Sequence, residues 1–478
     1  MRLRLALGIV LCALALPGPW ASAQPSSGSA PIVLGQLFQI RSQAMSETRS
    51  FQVHRPGDYD VSNARYPVVI VLDGEEHFQH VSTTVDLLSV AGRIPQMLVV
   101  GIPNVDRYRD MDSTAAPGSS AFLKFITDEL VPKIDRDYRT GSYRILVGHS
   151  DAGLYALYSM INAPTVFRGY IAISPAFGDN RELPKTIAAF LEGHKDPSLN
   201  ADLFMATDAG TGQPLSGAWE LSSYLQDRSS RVRDLRFTLR RYPEETHSAI
   251  PLRGVYDGLA SIFEGWEVQD PFTLYEQGGL TAIDKHFATL SARLGFEVAV
   301  PEEALFTTFT QLEGRKRFPE AEQVIKRAIE SFPDSVNAHY YAGRLYLQMG
   351  NRDLAVASLK KALLISANDP ASRGLLEYMK VDANTLVPEV HVAGKDLAKF
   401  VGGYGTSAVV FEIVQRGDKI VGKTSQSEYE LDALSGTALQ YSGNNAYAGS
   451  GTVSLRTDDR GRVTGLKFQN GAELAKLK

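Results

Sequence analysis

A chain of 478 residues, 44% hydrophobic and 22% charged, is long enough for about three domains at roughly 150 residues each. Its formal charge of −5 at pH 7 and the lack of any basic run make nucleic acid and anionic membrane surfaces poor partners. After the first residues, no apolar run reaches the ~20 residues of a membrane span.

Arg2 and Arg4 precede an apolar run from Leu5 to Leu16, and Ala21-Ser22-Ala23 follows. A basic start, an apolar stretch too short for a bilayer and an A-x-A site predict a secretory signal over residues 1–23, cut after Ala23. Cys12, the one cysteine, lies inside it behind Leu11, which disfavours a lipoprotein signal. A mature chain free of disulfides fits a periplasmic or secreted protein of bacterial type. Residues 24–39 read as a tether, opening with the polar stretch Gln24 to Ala30.

Residues 40–268 carry strands alternating with helices. Tyr66 to Leu72 (YPVVIVL) and Pro95 to Ile102 (PQMLVVGI) are continuous apolar runs, as strands buried on both faces require. Between them Val81 to Ala91 has helical spacing, and Ala121 to Ile134 predicts a second helix capped by Ser119 or Ser120. Arg144 to Tyr158 (RILVGHSDAGLYALY) then runs from a strand through a tight turn into a helix, with Ser150 at the apex. This is the layout of the nucleophile elbow of α/β-hydrolases, which pushes a serine hydroxyl out of the sheet edge. Ala152 stands where a second glycine is usual, and Gly153 follows it. Phe167 to Ser174, Leu203 to Ala206 and Leu235 to Tyr242 supply further strands. The alternation predicts an α/β fold with a mostly parallel sheet. Ligands on such sheets bind at the carboxyl ends of the strands, where the segments beginning at Asp73, Asn104, Ser150, Asp208 and His247 all start.

A serine nucleophile needs a base, which in this fold is a histidine after the last strand, in the order serine, acid, histidine. His247 meets that order. His54, His77, His80 and His149 precede Ser150, His286, His339 and His391 fall in other regions, and His194 lies in a helical linker. His77 and His80 lack a third ligand nearby, so no metal site and no cofactor are expected. The acid should follow the strand Leu203 to Ala206, which makes Asp208 the first choice, with Glu220 and Glu245 as alternatives. The backbone N–H of Asp151 and that of Gly74 or Glu75 are placed to form an oxyanion hole. Arg107 and Arg109, on the loop after the second buried strand, are expected to meet an acidic or catecholic group of a substrate; the alternative is a solvated loop.

Residues 269–380 are helical and repetitive. Ala321 and Ala355 are 34 apart, as are Ala328 and Ala362, and Phe309 and Gly343, with Pro333 closing the first unit. That is the tetratricopeptide period, and Leu280 to Leu294 is expected to pack as a helical lead-in. Residues 387–478 alternate in short segments between Gly, Asn and Asp turns, which predicts a small antiparallel β domain.

The motifs YPVVIVLDGEEHF (Tyr66 to Phe78), LVVGIPNVDRYRDM (Leu98 to Met111), VGHSDAGLYALY (Val147 to Tyr158) and ETHSAIPLRGVYDGLASIF (Glu245 to Phe263) together resemble the exported putative-esterase family. That family is related to esterase D and to bacterial siderophore-trilactone esterases. The resemblance implies Ser150 as nucleophile, His247 as base, an oxyanion hole from Asp151 and Gly74 or Glu75, and an acyl-enzyme route to small-molecule esters. Asp208-Ala209-Gly210 departs from the family's Gly-acid pattern. Lys399 to Tyr404 and Asp459 to Val463 resemble the β modules appended to exported serine hydrolases. Two other readings stand beside the esterase: an inactive hydrolase fold that binds a protein partner through its helical repeats, and an acyl transferase.

Overall fold

The structure is a computed structural model that describes residues 32–57, 59–112, 117–178, 180, 182–193, 200–210, 213–227, 235–389, 397–405, 409–417, 419–424, 428–435, 438–442, 451–458, 460, 462–468 and 473–477. The expected signal, most of the tether, His194, His391, Asp459 and Gly461 lie outside these residues.

A hairpin of β1 (Gln36–Arg41) and β2 (Thr48–His54) opens the sheet. β1 takes up the end of the expected tether; as an edge strand exposed along much of its length it carries little apolar signal. The fully buried β3 (Tyr66–Leu72) leads into α1 (Gly74–Val90). This helix starts two turns before the expected Val81, because His77 and Phe78 join Val81, Val85 and Leu88 on its buried face. Next come β4 (Leu98–Ile102), α2 (Arg107–Met111), α3 (Pro117–Lys124), a π-helical segment (Phe125–Leu130) and α4 (Val131–Asp137). The expected caps fall inside α3: Ser119 is buried there, and its carbonyl accepts a 2.6 Å bond from the Tyr155 hydroxyl.

β5 (Thr140–His149), α5 (Asp151–Asn162), β6 (Gly169–Ile173), α6 (Leu183–Gly193), β7 (Ala201–Thr207), α7 (Gln213–Asp227), β8 (Leu235–Arg241) and α8 (Ile250–Ile262) complete the α/β unit. Its eight strands lie in the order β1-β2-β4-β3-β5-β6-β7-β8. The β1–β2 and β2–β4 pairs are antiparallel and the others parallel. Every residue of β3, β4, β6 and β7 is buried, as helices on both faces of the sheet dictate.

The helical region begins with α9 (Pro271–Glu276) and α10 (Leu280–Leu294), the expected lead-in. Two helix pairs follow, α11 (Glu302–Gly314) with α12 (Phe318–Ser331) and α13 (Val336–Gln348) with α14 (Arg352–Ile365), then α15 (Pro370–Tyr378) and the short α16 (Ala383–Leu386). The alanines spaced by 34 sit at matching buried positions of α12 and α14, all fully enclosed. Small side chains there let the paired helices close up. The side chains of Ser335, Asn351, Asp369 and Asp382 each accept a backbone N–H at a helix start, which sets the boundaries of the last four helices.

The C-terminal region is a closed antiparallel barrel of β9 (Gly402–Gly405), β10 (Val409–Arg416), β11 (Lys419–Lys423), β12 (Glu428–Ser435), β13 (Ala438–Ser442), β14 (Gly451–Thr457), β15 (Val463–Phe468) and β16 (Glu473–Lys476). Phe411, Ile413, Ile420, Leu439, Val453, Leu466 and Phe468 form its core.

Candidate active site

β5 delivers Ser150 to the carboxyl edge of the sheet. The residue holds φ 60° and ψ −119°, a conformation costly for a side-chain-bearing residue. Its backbone N–H donates to the Ile173 carbonyl at 2.9 Å and its carbonyl accepts from Leu154 N–H at 3.0 Å, so β6 and the first turn of α5 fix the turn from both sides. A Cβ on Gly148 would lie 2.1 Å from the Ala152 carbonyl oxygen, and one on Gly153 would lie 2.8 Å from the Ile173 oxygen. The close approach of helix to strand thus falls at Gly153, and Ala152 fits, fully buried, where a glycine is usual.

Asp208 follows β7 directly. Its Oδ2 lies 2.7 Å from His247 Nδ1 and accepts from the Ser174 hydroxyl at 3.0 Å, while Oδ1 accepts from Gly210 N–H at 2.6 Å. Burial pushes the Asp208 carboxyl up, but these three bonds outweigh it and hold the group below the usual carboxylate range. The three candidate acids are placed differently. Glu220 is exposed on α7, and Glu245 pairs with Arg253 at 3.2 Å. Of the three, Asp208 is the one hydrogen-bonded to the His247 imidazole. With Nδ1 assigned to the Asp208 bond, Nε2 is the nitrogen left for chemistry. The His247 side chain is 52% exposed, while that of Asp208 is 11% exposed. Beside the pair a small cavity of ≈ 160 Å³ is lined by Ser174, Pro175, Thr207, Asp208, Gly210, Leu215 and His247.

Gly74 and Glu75 open α1, and Asp151 opens α5. The first N–H groups of a helix have no intrahelical acceptor, so both helix starts present donors at the edge where Ser150 stands.

Both arginines lie in ion pairs within the chain. Arg107 Nε and Nη2 donate to the two carboxylate oxygens of Asp73 at 2.9 and 3.1 Å, and Nη1 donates to Asp151. Arg109 is bound to Glu47 and Asp110, with Nη2 2.7 Å from Glu47 Oε1 and 2.6 Å from Asp110 Oδ1. Both guanidiniums are committed to ion pairs within the chain, because the sheet edge carries carboxylates on neighbouring loops that a linear reading cannot see as neighbours.

Residues outside the expected set also meet here. The His149 ring lies 4.6 Å from the His247 ring, and its side chain bonds the His247 backbone. The His77 ring is 5.5 Å from His149, and His77 Nδ1 is 3.0 Å from His80 Nε2. Burial, with His247 and His77 alongside, pushes the His149 imidazole down to about 4. Burial and His77 do the same for His80. The order of residues around an elbow identifies the base and carries no signal for the rings that buttress it. Ser174, at φ 42° after β6, was equally silent.

The fold is thus an α/β-hydrolase sheet with a serine elbow, joined to tetratricopeptide-type helices and a β barrel. Residues 42–249 match the family described as "Putative esterase", and residues 312–377 match the tetratricopeptide repeat. The chain is 27% identical over 203 residues to the ferri-bacillibactin esterase BesA of Bacillus subtilis, a match covering 36% of this chain and 64% of that protein. It spans 58–64% of the lengths of three such relatives from Bacillus subtilis. Among solved structures, an IroE-like serine hydrolase from Shewanella oneidensis superimposes with a TM-score of 0.53 at 26% identity, covering 62% of this chain and 99% of that one. An uncharacterised protein from Capnocytophaga ochracea shares the fold, with a TM-score of 0.54 at 17% identity over 71% of this chain and 100% of the other.

Proposed function

We propose that this chain is an exported serine esterase that hydrolyses carboxylic esters of small molecules. The observation that carries the reading is the 2.7 Å bond between His247 and Asp208, at the sheet edge to which β5 delivers Ser150 at positive φ. Ser150 Oγ attacks the ester carbonyl as His247 Nε2 takes its proton, and Asp208 orients the ring and stabilises the imidazolium. Negative charge on the carbonyl oxygen is met by the N–H of Asp151 and that of Gly74 or Glu75. The C–O bond to the leaving alkoxide then breaks as His247 returns the proton. Water, deprotonated by the same histidine, attacks the acyl-enzyme, releases the acid and restores Ser150.

The esterase-family match and the named function of the Bacillus relative support hydrolysis, and siderophore-type esters head the substrate classes to try. The assembled histidine–carboxylate pair favours an active enzyme over an inactive scaffold. The tetratricopeptide match makes the helical repeats the candidate surface for a protein partner. Export rests on the basic, apolar and A-x-A segments of residues 1–23. Two experiments test the proposal. A fluorophosphonate should label Ser150 in a protein that turns over p-nitrophenyl butyrate; no turnover and no labelling would sink the esterase. N-terminal sequencing of the protein from the periplasm should begin at Gln24, and recovery of the uncleaved chain from the cytoplasm would sink export.

A further inference from the structure

Two segments far apart in the chain supply the expected oxyanion donors: the start of α1 and the start of α5. Each carries a carboxylate at the donor itself. Asp73 immediately precedes Gly74 and holds the left-handed conformation, φ 52° and ψ 49°. Asp151 is the other donor residue. One side chain joins them. Arg107 chelates Asp73 through Nε and Nη2, donates to Asp151 through Nη1, and reaches the His149 carbonyl through Nη2 at 3.4 Å. The same loop adds Asn104, whose Nδ2 donates to Asp73 at 2.6 Å and to Glu75 at 2.8 Å, and whose N–H donates to Glu75 at 3.1 Å. The side chains of Asp73, Asp151 and Arg107 are 4%, 26% and 28% exposed, so this ion triad is partly shielded from water.

We infer that Arg107 is a positioning residue that clamps the two halves of the oxyanion hole in register. This rests on the esterase reading above. The guanidinium contributes in two ways. Its planar fork fixes the distance between the first turns of α1 and α5, and a donor displaced by even an ångström loses much of its effect on a developing oxyanion. Its charge also compensates two carboxylates that would otherwise repel negative charge growing beside them. A lysine is a point charge without a fork and can meet the second need but not the first. A clamp acts on the transition state and a substrate-gripping arginine acts on binding, so the two roles separate in kinetics.

The test uses the full chain and p-nitrophenyl butyrate, with Ser150→Ala, Arg107→Met, Arg107→Lys, Asp151→Asn and the double variant Arg107→Lys/Asp151→Asn. The clamp predicts that Arg107→Met lowers kcat on the order of 10- to 100-fold with KM little changed. The rate of Ser150 labelling by a fluorophosphonate should fall in proportion, since its phosphoryl oxygen must use the same donors. Arg107→Lys should recover only part of the loss. Asp151→Asn, which keeps the backbone N–H, should cost activity in the native background and little further in Arg107→Lys, because the pair acts as a unit. Thermal melting identifies any variant that has not folded. If Arg107→Met has not folded, the lysine and asparagine cycle decides alone, and additive losses overturn the clamp. Native kcat in folded Arg107→Met, or a loss confined to KM, also overturns it while an inactive Ser150→Ala leaves the esterase standing. A silent native protein whose Ser150 resists the fluorophosphonate overturns the esterase reading and the clamp together.

Discussion

Ser150 carries backbone strain in its own φ of 60°, held there by the Ile173 and Leu154 bonds at 2.9 and 3.0 Å. Glycine adopts positive φ without penalty, whereas a non-glycine residue in so sparse a region costs on the order of 1–3 kcal/mol. Ser150→Gly should therefore raise the stability of the hydrolase unit by about 1 kcal/mol in urea unfolding while abolishing ester turnover. Unchanged or lower stability would mean that the surrounding bonds, and not the residue, set the conformation. At this scale the sequence was partly legible. Gly148, Ser150 and the helix after them announce the elbow because the turn demands those residues at adjacent positions. Asp208 was one of three acids, since carboxylates near strand ends are common and only the fold brings one of them 2.7 Å from an imidazole. Arg107 was visible as a cation at the right edge, but its partners Asp73 and Asp151 lie on other segments, 34 and 44 residues away.

Helix α1 contributes more than its first turn. His77 and His80, one turn apart on it, are bonded to each other, and His77 lies edge-on to His149, whose ring is tilted against that of His247. The ordinary histidine value is near 6.5; burial drives His80 and His149 to about 4 and also lowers His77, despite the opposing charges of Asp73, Glu76 and Glu75. The sign follows directly. Between those values the unfolded chain binds protons that the folded one does not, so stability falls as pH drops from about 6.5 and the loss levels off near 4. His80→Gln should flatten that decline in denaturant midpoints taken from pH 7 to pH 4. A slope equal to that of the native protein would remove His80 from the account. The helix was readable from Val81 onward by its apolar spacing, but its first two turns hold Gly74, Glu75, Glu76 and His77, which read as a loop until a sheet edge buries His77. The 34-residue period of the helical repeats needed no such context, because small residues at fixed spacing are what the packing itself requires.

Over the whole molecule, helix α10 docks at the end of the sheet opposite Ser150. Arg293 donates to the carbonyls of Ile262 at 2.8 Å and Glu264 at 2.6 Å, and lies 3.7 Å from Asp202 at the start of β7. Arg168 returns a 3.0 Å bond to the Arg293 carbonyl, and Tyr143, early in β5, donates to Asp202 at 2.7 Å. The lead-in helix is thus fastened at the amino ends of the strands, away from the carboxyl ends that carry the site. Arg293→Ala should cost roughly 1–3 kcal/mol through the Ile262 and Glu264 carbonyls that lose its guanidinium, seen as a lower melting temperature. Its kcat/KM on a short ester should stay at the native value; a large loss would mean that the docking is coupled to catalysis. The three-part organisation was legible from changes in periodicity along the chain. This docking was not, because it runs through single polar residues with no repeating pattern.

The most direct test of the central claim, that Ser150 and His247 work as one catalytic unit, is kcat/KM on p-nitrophenyl butyrate for the native chain, Ser150→Ala, His247→Ala and the double variant. Each single substitution should cost several orders of magnitude, and the double variant should be no worse than either, as residues acting together behave. Single variants that keep native turnover, or losses that multiply in the double variant, would contradict it.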